Sequence, residues 1–162
     1  MGDFIGTTIS GMTGRGSIRH NNRSFSAANI DRSRTEQNVT YCNDDLKQVY
    51  HEIFDEALAA YNAKKKKTRD KITDYYEHIR QGKQEKLFHE AIFQIGNLED
   101  CGCGSPGGER AAAALKEFAE SFQERNPHLR VFNMVLHMDE ATPHLHVCLL
   151  YTSDAADELD GV

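Results

Sequence analysis

Within this 162-residue chain the segment richest in chemistry is His137-Met138-Asp139-Glu140-Ala141-Thr142-Pro143-His144-Leu145-His146. His144 and His146 are two residues apart, so on an extended strand both imidazoles project from one face. His137 closes the preceding segment, and a short polar turn folds it back beside them. Three imidazoles converging on one point make a metal site with positions left open for water or substrate. Asp139 and Glu140 lie in the turn, close enough to orient the ligands or to act as a base. Zinc hydrolases use such a site, and so do divalent-metal nucleases, where the ion polarises a phosphoryl oxygen. The local pattern does not separate the two.

The elements that must position these residues follow from periodicity. Leu46, Val49, Tyr50, Ile53, Phe54, Ala57, Leu58 and Tyr61 fall at three-to-four spacing and predict a helix, with Asn43 as its N-cap. The run Lys64 to Lys67 suits the solvated C-terminus of that helix. Residues 72–81 predict a shorter helix, residues 87–95 a strand, residues 97–108 a Gly- and Pro-punctuated loop, and residues 109–125 a second strong helix. From Leu129 to Met138 the period becomes two. Leu129, Val131, Asn133, Val135 and His137 are expected on one face, and Arg130, Phe132, Met134 and Leu136 on the other. A further strand follows over His144 to Leu150. Residues 15–41 have no clear period and read as ordered loop or short irregular strands. The closing hairpin makes the expected class α+β, an antiparallel sheet with helices packed on it.

Charge is unevenly placed. The net charge of −6 argues against a general nucleic-acid binder. Yet residues 15–34 hold Arg15, Arg19, Arg23, Arg32 and Arg34 against the single acid Asp31, a local basic patch suited to phosphate. No stretch approaches the ~18 apolar residues of a membrane span, and no secretory signal is expected at the start. Cys101 and Cys103 lack a second closely spaced Cys/His pair and read as structural or incidental. The chain reads as a reduced, cytoplasmic protein with no membrane partner.

The residues also resemble a family. His137-x-Asp139-Glu140-x-x-Pro143-His144-x-His146 is similar to the third motif of the MobV/Pre plasmid mobilisation and recombination proteins. Its His-hydrophobe-His core also marks the wider HUH endonucleases. His20-Asn21-Asn22-Arg23 resembles the first MobV motif, and Asn29-Ile30-Asp31-Arg32-Ser33-Arg34-Thr35 resembles the segment that follows it. The resemblance covers about Arg15 to Val147. It implies an HUH relaxase palm that binds single-stranded or hairpin origin-of-transfer DNA, nicks one strand and stays attached to the 5′ end. It implies metal ligation by His137, His144 and His146. Three imidazoles favour Mn²⁺ over the oxygen-seeking Mg²⁺, which stays possible.

The same resemblance places the nucleophile at His20, with Glu140 as the base taking its proton and Arg23 stabilising charge on the phosphate. Tyr41 is the competing nucleophile. Arg15, Arg19, Asn21, Arg32 and Arg34 are the expected DNA contacts. A metal-dependent hydrolase of a small substrate, or an inactive DNA-binding fragment, are the alternatives. After Val147 the sequence departs from the family pattern, and Asp154, Asp157, Glu158 and Asp160 follow without Lys or Arg. The expectation is a relaxase catalytic part over residues 1–147, incomplete at its C-terminus, with residues 148–162 a foreign acidic tail. The oligomeric state is left open.

Overall fold

The computed structural model describes residues 8–25, 27–152 and Leu159. In chain order the elements are β1 (Ile9–Thr13), α1 (Ile18–Asn21), β2 (Val39–Asn43), α2 (Leu46–Ala63), α3 (Tyr75–Gln81), β3 (His89–Ile95), α4 (Leu98–Cys101), α5 (Pro106–Glu120), α6 (Phe122–Arg125), β4 (Leu129–His137) and β5 (His144–Tyr151). The strands form one five-stranded sheet in the order β1-β3-β5-β4-β2, and every neighbouring pair is antiparallel. The class is α+β, as the periodicity implies. No helix among the described residues is long and apolar enough to cross a membrane.

Local chemistry sets the helix ends. Asp45, rather than the expected Asn43, caps α2: its side chain accepts from the Gln48 N–H at 3.0 Å. Asn43 instead ends β2, where its side chain joins a buried polar layer described below. Ser105 caps α5 by accepting from the Gly108 N–H at 3.0 Å, and Pro106 occupies the first turn, where its missing N–H costs nothing. The helix therefore starts before the predicted Glu109, and it breaks at Ser121 before the short α6. Glycines are required at Gly107 and Gly108: a Cβ at either would run into the Asp100 or Gly102 carbonyl oxygen of the turn below.

The sheet separates two cores. On one face Leu136, Leu145, Val147 and Leu149 pack with Leu115, Ala119 and Phe122 of α5 and α6. On the other, Phe132, Cys148 and Leu150 pack with Val49, Tyr50, Phe54, Tyr75 and Ile79 of α2 and α3, and Leu159 joins them. The simple alternation expected for β4 fails at its start. The β4–β5 register shifts between Val131 and Asn133, a bulge that inserts one residue. Val131 and Leu129 consequently face α5 with Met134 and Leu136, while only Asn133, Val135 and His137 keep the predicted face.

β5 is central, paired with both β3 and β4. It runs past Val147, and Cys148, Leu149 and Leu150 are buried, so the expected boundary at Val147 falls inside a strand. Most of the acidic tail, residues 153–158 and 160–162, lies outside the described residues. A strand buried on both faces should tolerate truncation poorly. Leu145 is fully buried and is paired with Leu136 and Phe93. Leu145→Ala is expected to cost about 2–5 kcal/mol in urea denaturation.

Candidate active site

His20 sits on α1, a single turn laid over β4. Ser17 caps it, accepting from the His20 N–H at 3.2 Å. The turn ends in a reversal in which the Ser24 N–H donates to Arg19 O at 2.8 Å and the Arg23 N–H to His20 O at 3.1 Å. That reversal places Arg23 at φ 55°, the left-handed region that glycine normally fills. An arginine tolerates the strain here because its side chain is tied down. Nε donates to Asp139 Oδ2 at 3.0 Å, Nη2 donates to Glu140 Oε1 at 2.8 Å, and Nη1 lies 3.2 Å from His20 Nε2.

The β4–β5 hairpin supplies the histidines. His137 pairs with His144, and Val135 with His146, so His137, His144 and His146 share one sheet face. His20, His137, Glu140 and His146 each offer a ligand atom, all within 4.8 Å of one another. Glu140 Oε1 is 3.2 Å from His20 Nε2 and 3.6 Å from His137 Nδ1. This set differs from the expected trio in holding Glu140 and His20 and omitting His144. The reason is local: His144 Nδ1 donates to Thr142 O at 2.7 Å, which anchors the ring toward the turn, 6.4 Å from the His146 ring. That bond fixes the proton on Nδ1, and the Nε2 lone pair lies 3.4 Å from the Thr142 hydroxyl.

The donor set fits a metal ion. His137 Nε2 donates to Asn21 O at 2.9 Å, so its Nδ1 carries the lone pair, and that nitrogen is buried without a hydrogen-bond partner. His146 Nδ1 is likewise buried and unpaired, 3.6 Å from Glu90 Oε2. Buried nitrogens without partners cost about 1–3 kcal/mol each, a cost that a cation held by this group would relieve. The His137 and His146 side chains are 0% and 7% exposed, whereas His20 at 24% stands at the open side of the cluster.

Asp139 is the anchor of this end of the molecule. Its carboxylate is fully buried and accepts from Arg23 through two nitrogens, from Thr35 Oγ1 at 2.9 Å and from Asn38 Nδ2 at 2.9 Å. Arg34 donates to Met138 O at 3.1 Å and Glu140 O at 2.9 Å, and the Asp31 N–H donates to Asp139 O. Segment 31–38 is thus a clasp on the histidine turn. From the other side, the Cys103 N–H donates to Ala141 O at 2.9 Å.

Two residues expected at the DNA, Arg34 and Asn21, are bonded within the protein. Arg34 is spent on the clasp. Asn21 is buried at 1% exposure, donating to Glu90 Oε2 at 2.8 Å and to Asn133 Oδ1 at 3.2 Å. Asn22, Asn43 and Asn133 extend this polar layer and pin α1 to the sheet. Arg15, Arg19 and Arg32 stay on the surface. Glu90, on β3, escaped the sequence reading because nothing in its neighbours marks it; only the β3–β5 pairing sets it beside His146. Tyr41 packs with the α5-side cluster, and both burial and the Glu120 carboxylate raise its pKa. The sheet lies between it and the histidines.

Over residues 17–158 the chain matches the Mob_Pre family, described as plasmid recombination enzyme. It belongs to that family. Among solved structures it is similar to the MobM relaxase domain (MOBV; Mob_Pre) bound to plasmid pMV158 oriT DNA, in a Mn-bound crystal structure at pH 5.5. Identity is 22%, with 91% of this chain and 75% of that chain covered, at TM-score 0.47. The same domain in a Mn-bound structure at pH 4.6 gives 21% identity, 94% and 80% coverage, and TM-score 0.46. No curated protein matches the chain.

The electrostatics of this Mob_Pre site favour the neutral form of His20, His137 and His144 and the charged form of Asp139 and Glu140. Burial holds the His137 pKa down to about 4, and burial also lowers His144. His20 is lowered by burial and then by the Arg23 charge. Burial alone would raise Asp139 and Glu140, but hydrogen bonds and charge from Arg23, joined at Asp139 by Asn38 and Thr35, outweigh it and hold both below the usual carboxylate range.

Stability follows from the His137 shift. Between pH 6.5 and about 4 the unfolded chain binds a proton at His137 that the native protein does not, so metal-free stability falls as pH drops through that window. The full effect is on the order of 3 kcal/mol, and His137→Gln should flatten the dependence of the urea midpoint on pH there. Asp139→Asn, which leaves Arg23 without its buried counter-ion, is expected to cost about 3–5 kcal/mol in the same measurement.

Proposed function

We propose that this plasmid recombination enzyme is a relaxase. It binds one strand of plasmid origin DNA, nicks it at the histidine cluster and remains linked to the new 5′ end through His20. The observation that carries this reading is the position of His20: a neutral imidazole at the open side of a buried His137–Glu140–His146 cluster, 3.2 Å from Glu140.

The buried members, His137 Nδ1, His146 and Glu140, would hold a divalent cation, and His144, on the same sheet face, would join them by turning its ring from Thr142. An imidazole-rich set with one carboxylate suits Mn²⁺ better than Mg²⁺. Once bound, such an ion polarises a phosphoryl oxygen and so makes phosphorus more electrophilic. The chain's own groups do the rest. The unprotonated nitrogen of His20 forms the N–P bond as the P–O3′ bond breaks, and the departing 3′ oxygen takes up a proton. The ring surrenders its N–H proton, for which the Glu140 carboxylate is an acceptor within reach. Arg23, locked by Asp139, holds a fixed positive charge beside the reacting phosphate and costs no reorganisation. The phosphoramidate so formed keeps the bond energy for rejoining the strand.

Surface residues Arg15, Arg19 and Arg32 would meet the DNA backbone. The cytoplasm, where plasmid DNA resides, is the inferred place of action; the four free thiols of the described residues agree with a reducing compartment.

A second reading has its own support, since His20 also falls within the 4.8 Å ligand group and could complete a four-ligand hydrolase site. One pair of variants separates them. Under the relaxase reading, His20→Ala abolishes the covalent adduct with labelled single-stranded DNA and leaves Mn²⁺ affinity in calorimetry within about twofold, while His146→Ala lowers that affinity by about 10–100-fold. Loss of Mn²⁺ binding in His20→Ala would favour the hydrolase.

A further inference from the structure

Phe25 is an aromatic ring with no place in either core, 39% exposed and outside both apolar clusters. It is not a stray surface residue in position. The reversal after α1 folds the chain back so that the Phe25 ring lies 6.0 Å from the His20 ring, tilted by 48°. The Arg19 guanidinium stands 5.9 Å from the ring centroid, on the exposed side of the same turn. An imidazole, a phenyl ring and a surface cation thus line one edge of the site.

We propose that Phe25 is a base-stacking platform for the nucleotide adjoining the phosphate that His20 attacks. The proposal rests on the relaxase reading above. A nucleotide's base lies one sugar away from its phosphate, a span comparable with the 6.0 Å between the two rings. A strand whose phosphate reaches His20 therefore brings a neighbouring base over Phe25. Stacking removes the exposed phenyl face from water, and Arg19 supplies a cation both to the ring and to the flanking phosphate. Every base offers a π-face, so the platform anchors the strand at the reacting position without setting its sequence. The Schellman-type reversal gives the platform its rigidity: the same backbone bonds that fix Arg23 also fix where Phe25 emerges.

The test uses the full chain with Mn²⁺ and two fluorescein-labelled single strands of equal length, one of randomised sequence and one built of abasic residues. Anisotropy should show the wild type preferring the strand that carries bases, and both Phe25→Ala and Phe25→Leu should lose about tenfold of that preference. The protein contains no tryptophan, so Phe25→Trp places the one tryptophan at the platform, where it is excited apart from the tyrosines. It should keep wild-type affinity, and its emission should change on adding the base-bearing strand but not the abasic one. If Phe25→Ala retains the full preference, or if the Trp emission is unmoved when anisotropy reports saturation, the platform is refuted while the relaxase reading stands. If the wild type retains neither strand, both readings fall together.

Discussion

The active end of this molecule depends on one buried ion pair, Arg23 with Asp139. Asp139 is fully buried and the Arg23 side chain is 10% exposed, so neither charge could remain there alone. Their contact joins three pieces of chain: the α1 turn that carries His20, the β4–β5 turn that carries Glu140 more than a hundred residues later, and segment 31–38, whose Thr35 and Asn38 complete the hydrogen bonds of the carboxylate. Remove either charge and the α1 turn loses its ionic tie to the histidine turn, which segment 31–38 still holds through Arg34 and the Asp31 N–H.

The strained backbone of Arg23 follows from the same constraint. Glycine would satisfy the left-handed turn without a Cβ penalty, but glycine carries no guanidinium. The turn accepts the strain because the side chain returns more than the backbone loses, with contacts to Asp139, Glu140 and His20 at once. Behind it, the layer of Asn21, Asn22, Asn43, Asn133 and Glu90 pairs polar groups under α1, with Asn21 Oδ1 left without a hydrogen-bond partner. A one-turn helix has little stability of its own, and this layer substitutes for length.

The sheet divides labour between its faces. The α5 side is apolar and structural, while the other side is apolar only where α2 and α3 cover it and polar where α1 does. Tyr41 and His20, both candidate nucleophiles by type, lie on opposite faces of the sheet.

The sequence by itself determined the α+β class, the long helices and the histidine hairpin, because each is a local pattern: three-to-four spacing from Leu46 to Tyr61, period two into His137, and a His-x-His pair on one strand. It also determined which residue types were available for chemistry, His20 and Arg23 among them. It could not show the bulge at Val131–Asn133 that offsets the faces of β4, since a single inserted residue leaves no mark in composition. It could not show that Asn21 and Arg34 are held by protein partners, because a polar side chain looks the same in a string whether it meets solvent or a buried partner. Glu90 was invisible for the converse reason: one Glu at the start of an apolar strand has meaning only once β3 lies beside His146 of β5. Which imidazoles share a centre was likewise left to tertiary structure. Strand pairing brought His137 and His146 together, one hydrogen bond to Thr142 O drew His144 aside, and the Arg23–Asp139 pair delivered His20 from more than a hundred residues away.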